Sequence, residues 1–261
     1  MCYIWRMLPE STRYFMFLSF EGTNYHGWQI QPNAPSVQQT LENALSLILR
    51  EEVAVTGAGR TDAGVHASHF CVHFDSCRND IDSDKKLIFK LNKFLPPDIA
   101  IESVCKVIPS ANARFSAISR TYKYYILKEK DPFRHQWGWH IYHPLNISLM
   151  NEACGILKNH SDFTSFSRLH TDTKTNICEI FSAEWEETDA EIIFLITANR
   201  FLRNMVRALV GTMVDLGLGK IDVEDFKKII ESKNRCEAGQ SAPAKGLFLT
   251  DIIYPDDIFI Y

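Results

Sequence analysis

Apolar residues recur with two periods along this chain, and the switches between them lay out its elements. Alternation by two, or a short apolar run, marks strands; spacings of three and four mark helices. Arg13 to Phe20 (RYFMFLSF) reads as the first strand. Ser36 opens a helix, with Gln39 completing a capping box and Leu41, Ala44, Leu45, Ile48 and Leu49 on one face. His69 to Phe74 alternates, setting Phe70, Val72 and Phe74 against His69, Cys71 and His73. Asp84 to Leu95 is a second amphipathic helix, stopped by Pro96-Pro97, and Ile99 to Ile108 is a strand. Strand and helix thus mix in an α+β order.

The second half repeats the mixture. Arg114 to Lys128 reads as a strand with Tyr122, Tyr124 and Ile126 on one face and Lys123, Tyr125 and Leu127 on the other. Residues 131–145 are aromatic and irregular, a covering loop. Ser148 is expected to cap a short helix reaching Lys158. Strands are expected over Thr175 to Glu186 and Glu191 to Ala198. From Asn199 to Lys220 a broad apolar stripe (Phe201, Leu202, Met205, Val206, Leu209, Val210, Met213) predicts a helix. On it Arg200, Arg203 and Arg207 share a flank. A further helix covers Asp222 to Ser232. The expected division is a tail at 1–12, an N-terminal lobe at 13–112 and a C-terminal lobe at 113–261. The opening MCYIWRMLPEST lacks the apolar core of a signal peptide, and Met7 is an alternative start.

Charge adds a polarity. The net charge is −4, which does not advertise a nucleic-acid binder. Residues 111–140, however, carry six basic side chains against two acidic ones, while the acidic excess lies after residue 221. Seven cysteines with no CxxC pair point to free thiols in a reducing compartment. No apolar run is long enough to span a membrane.

The chemistry concentrates in Val55 to Ala67, VTGAGRTDAGVHA. Three glycines shape a tight loop that presents Arg60, Thr61 and Asp62. It is neither a Walker A loop nor a dinucleotide fingerprint: no Gly-Lys-Ser/Thr follows, and Asp62 stands where a third glycine belongs. A carboxylate beside a cation at a loop tip suits a base, a ligand or a nucleophile; an ordinary turn with a surface ion pair fits the spacing equally. The loop EGTNYHGWQIQPNAPS holds Tyr25 and Trp28, either to stack on bases or to plug the core. The strand around Tyr122 suits base stacking and phosphate contact, or simply burial with a basic wet face.

GAGRTDAGVHA resembles the signature of the TruA family of tRNA pseudouridine synthases. So do the segments at Gly22 to Gln31, Ala113 to Tyr124, Phe201 to Gly211 and Ala242 to Leu249, in the family's order. The resemblance implies a pseudouridine synthase fold: two similar α/β lobes with RRM-like strand–helix alternation, their largely antiparallel sheets meeting at a central cleft. It implies isomerisation of uridine at positions 38–40 of the tRNA anticodon stem-loop, without cofactor or metal. Asp62 would be the nucleophile and Arg207 its partner. Arg60 would fill the gap left by the flipped nucleotide. Tyr122 would pack on the target uracil and Leu247 would line its pocket. Arg114, Arg120, Lys123, Arg200 and Arg203 are the expected phosphate contacts. The family is homodimeric and cytoplasmic. Asn112 departs from its usual histidine. Two other classes compete: a metal-dependent hydrolase using Asp62 with His66, His69 and His73, and a non-catalytic RNA-binding module. Strand alternation places His66 opposite His69 and His73, which argues against the first.

Overall fold

A computed structural model describes residues 11–168 and 175–260; most of the expected tail lies outside the described residues. In chain order the strands are β1 (Thr12–Phe20), β2 (Thr56–Gly57), β3 (His66–Ser76), β4 (Ile99–Lys106), β5 (Ser119–Leu127), β6 (Trp139–His140), β7 (Ile180–Glu187), β8 (Glu191–Ala198) and β9 (Leu247–Ile253). The helices are α1 (Val37–Leu49), α2 (Lys85–Phe94), α3 (Ile147–Leu157), α4 (Met205–Gly217) and α5 (Val223–Ser232). The expected α+β class is the one found. Seven strands form one path, β4-β1-β3-β9-β5-β8-β7, with β2 beside β3 and β6 beside β5. The path is antiparallel except where β3 meets β9, at His66↔Phe248 and Ala67↔Leu249. That short parallel contact joins the two half-sheets into one.

Each half has its own core. Tyr14, Met16, Leu41, Leu45, Phe70 and Leu91 belong to the first; Tyr124, Phe163, Phe194, Leu209 and Phe226 belong to the second. The halves interlock. Leu249, Ile252, Tyr254 and Ile258, from the end of the chain, pack in the first core, whereas Val65 packs in the second. Tyr254 donates its hydroxyl to the Ala113 carbonyl at 2.6 Å, and Ala113 donates its N–H to His73 Nδ1 at 3.1 Å. The segment at Ala113 and the end of the chain at Tyr254 are therefore tied to β3.

Capping explains most helix starts. The Ser36 hydroxyl accepts from the Gln39 N–H, and the side chains of Asp222 and Asp225 close a reciprocal box at α5. Several expectations shift, and the strand expected from Arg114 starts at Ser119. Asn146, not Ser148, caps α3 by accepting from the Leu149 N–H at 3.1 Å. The strand expected from Thr175 starts at Ile180. The helix expected from Asn199 starts at Met205, because Asn204 takes a left-handed conformation with φ 67°. Arg200 and Arg203 consequently sit on the loop before α4.

Candidate active site

Asp62 lies on the loop between β2 and β3. Ala58 enters the loop with its N–H on the Cys71 carbonyl at 2.8 Å. The loop closes with Val65 donating to the Asp62 carbonyl at 3.1 Å, across Gly64 at φ +74°. The aromatic loop after β1 presses on it from outside. Trp28 donates its N–H to the Thr61 carbonyl at 3.3 Å, and a Cβ at Gly27 would stand 2.4 Å from that oxygen. Only glycine permits this approach. Trp28 and Tyr25 are buried: Trp28 packs on Phe70 with ring centroids 4.4 Å apart, and Tyr25 donates its hydroxyl to Asp98 at 2.7 Å. They plug the core, as one of the two readings of that loop has it, and leave no face for a base.

Two guanidiniums from a distant part of the chain meet the Asp62 carboxylate. Arg207 NH1 donates to Oδ2 at 3.2 Å, and Arg203 Nε stands 3.6 Å from Oδ1. Asp62 and Arg207 keep only 19% and 20% of their side-chain exposure, so solvent screens this pair less than a surface one. Arg207 is itself held: its Nε donates to the Ala242 carbonyl at 2.8 Å, and Ala242 returns its N–H to the Arg207 carbonyl at 2.9 Å. The strip 239–242 can lie along α4 because Gly211 has no side chain. Asn204 ties the same strip by donating to Ser241 Oγ at 2.7 Å.

Tyr122 borders this pair. Its ring meets Phe201 edge-on at 5.1 Å. Burial, with the Asp62 charge adding, pushes its hydroxyl up to about 12, although the Arg120 cation opposes the shift. The hydroxyl therefore stays protonated at neutral pH. Leu247 is buried on β9 opposite Tyr124, one strand pair from Tyr122. Arg60 is exposed at the loop tip.

The remaining expected phosphate contacts divide. Arg114 is exposed, with its guanidinium 5.3 Å over the Phe115 ring, and Arg200 is half-buried before α4. Lys123 sits on β5 one residue out of phase with Tyr122, so it points to the opposite sheet face, where Tyr125 meets Phe248. Arg120 is 9% exposed and its guanidinium is engaged by backbone carbonyls. Arg203 on Asp62 was not expected; the signal for it was its spacing one turn before Arg207.

The three histidines do not form a site. A register shift between Leu18 and Phe20 breaks the alternation of β3, so the expected opposition of His66 to the others does not rest on simple period two. Separate partners keep the rings apart. His66 Nδ1 accepts from the Gly22 N–H at 3.0 Å and its ring stacks on Phe248. His69 faces Glu102 and stacks on Phe17. His73 holds the Ala113 N–H. Among the described residues, no group of three His, Cys, Asp or Glu side chains could hold a metal ion. No described helix is long and apolar enough to cross a membrane.

Comparison with known proteins gives this geometry a context. A family model described as tRNA pseudouridine synthase matches residues 16–116 and 157–255. The tRNA pseudouridine synthase A of Bacteroides fragilis is 55% identical over 248 residues, covering 95% of this chain and 98% of that protein. Those of Thermoanaerobacter pseudethanolicus and Bacillus velezensis are 41% and 37% identical, each covering 91% of this chain and 97% of its own. With Asp62, Arg207 and Tyr122 converging inside two matched halves, and relatives aligned nearly end to end, the chain belongs to the tRNA pseudouridine synthase family of isomerases.

Proposed function

We propose that this enzyme converts uridine to pseudouridine at positions 38–40 of the tRNA anticodon stem-loop, with Asp62 as the nucleophile. The observation that carries the reading is the Asp62–Arg207 pair, which unites two segments 145 residues apart around one reachable carboxylate. The reaction breaks the bond from ribose C1′ to uracil N1, turns the base and joins C1′ to C5. A proton leaves C5 and one is gained at N1, so no oxidant and no cofactor is consumed. Asp62 attacks covalently, at C6 of the base or at C1′, and must be ionised to do so. Arg207, held by its second hydrogen bond to the Ala242 carbonyl, fixes the direction from which its guanidinium meets the Asp62 carboxylate.

The target base must leave its stack, which costs a few kcal/mol. Stacking on Tyr122 returns about 1–3 kcal/mol of it, Leu247 closes the pocket, and Arg60 takes the space the nucleotide vacates. One pocket serving neighbouring positions implies that the RNA is held by shape and phosphate. Arg114, Arg200 and Arg203 supply cations on the Asp62 side; Lys123 reaches RNA only from the other sheet face. By family resemblance the enzyme acts as a cytoplasmic homodimer.

The test is to incubate purified protein with unmodified tRNA and EDTA, then map the product. Pseudouridine confined to positions 38–40 is expected. Product elsewhere overturns the site assignment, and no product overturns the activity.

A further inference from the structure

Arg120 is the most deeply buried cation near the site, and among the described residues no carboxylate stands at ion-pair distance from it. A buried charge needs partners, and this one finds carbonyls. Its NH1 donates to the Asn199 carbonyl at 3.0 Å, and its NH2 donates to the carbonyls of Ala58, at 3.0 Å, and Arg114. Burial pulls its pKa down, but an arginine stays charged at any physiological pH.

The three carbonyls come from three separate segments. Ala58 lies four residues before Asp62, on the loop that carries it. Asn199 lies four residues before Arg203, on the loop that leads into α4 and Arg207. Arg114 lies in the turn that precedes β5. Arg120 itself lies two residues before Tyr122 on β5, on the same sheet face. One planar fork thus ties the nucleophile loop and the arginine loop to the strand bearing the aromatic platform. Lysine could not do this: its ammonium is a single point, whereas Arg120 reaches Asn199 from one nitrogen and Ala58 and Arg114 from another.

We propose that Arg120 is a positioning residue, a buried clasp that sets Asp62, the Arg203–Arg207 segment and Tyr122 in register, and that it does not contact tRNA phosphate. The catalytic role of that register rests on the function proposed above; the clasp itself is a property of the free protein.

The test uses Arg120→Gln and Arg120→Lys in full-length protein. Amide hydrogen exchange is read without RNA at residues 57–62, 112–116 and 199–203. The N–H groups of Ala58 and Asn199 are hydrogen-bonded in the folded protein, to Cys71 and Glu179, so their exchange reports opening. Exchange should quicken in all three segments together in Arg120→Gln, and less in Arg120→Lys. With saturating tRNA, kcat should fall on the order of 10–100-fold, the effect of misplacing reacting groups by about 1 Å. The salt dependence of tRNA binding should match wild type, whereas loss of one phosphate contact lowers the slope by about one. Should Arg120→Gln not fold, Arg120→Lys must still show quickened exchange in all three segments. Unchanged exchange in those segments, or a flattened salt slope with kcat intact, overturns the clasp. Because exchange is measured without substrate, a failure of the proposed activity leaves this result standing.

Discussion

Gly211→Ala adds a single methyl group to α4, one turn beyond Arg207. A Cβ at that position would stand 1.8 Å from the Gln240 carbonyl oxygen and 3.0 Å from its carbon. Real Cβ atoms essentially never approach below 3.0 Å, so α4 and the strip at 240–242 must part by about 1.2 Å. That strip carries the Ala242 carbonyl on which Arg207 Nε rests, at 2.8 Å. The strain falls on the contact that aims Arg207 at Asp62. Overpacking of this kind costs about 1–3 kcal/mol. At roughly 2–4 °C per kcal/mol for a chain of this size, Tm should fall by about 2–12 °C. A shift on the order of 1 Å at the site costs about 10²-fold in rate, so turnover should fall more than stability suggests. Thermal unfolding and pseudouridine formation at saturating tRNA measure both. A Gly211→Ala protein with Tm within about 1 °C of wild type and full turnover would mean that this contact does not aim Arg207.

Two further outcomes follow from buried groups. Tyr25→Phe removes the hydroxyl that Asp98 accepts and should cost about 1 kcal/mol with kcat unchanged; lost turnover with unchanged Tm would instead place Tyr25 on the substrate. Burial pulls the rings of His66 and His73 below their ordinary 6.5, with Glu21 opposing the shift at His66 and Arg13 adding to it at His73. The unfolded chain then binds more protons just below that value. Stability should be full above about pH 6.5 and lost as pH falls toward the lowered folded values. Tm measured from pH 7.5 to 5 should drop, and the drop should shrink in His66→Gln/His73→Gln; an identical profile in that variant contradicts the linkage.

Much of this was legible in the sequence because the chemistry is local there. Asp62 sits in a glycine-shaped loop whose residues specify it, and the apolar periods of α1, α2 and α5 are strong. The pairing of Asp62 with Arg207 came from family resemblance, since nothing in spacing links positions 145 residues apart. What the sequence left open or misplaced was decided by tertiary contact. The apolar stripe after Asn199 looks helical throughout, yet Asn204 turns left-handed to reach Ser241, so Arg200 and Arg203 leave the helix. The opposition of Lys123 to Tyr122 on β5 was legible in the alternation, and the fold keeps it. Arg120 has the composition of a phosphate contact; only the fold shows it buried under three carbonyls. Tyr25 and Trp28 could not be told from a stacking platform until β3 and Phe70 closed over them.

The proposed reaction depends on Asp62 for its covalent step. Its most direct measurement is pseudouridine formation by Asp62→Asn under single-turnover conditions with unmodified tRNA. The substitution keeps size and removes the nucleophilic charge. Arg207 keeps its hydrogen bond to the Ala242 carbonyl in this variant, so the protein should still unfold in one cooperative thermal transition and still bind tRNA. No detectable pseudouridine is expected from this folded, tRNA-binding protein. Product formed at a rate near that of wild type would contradict that dependence.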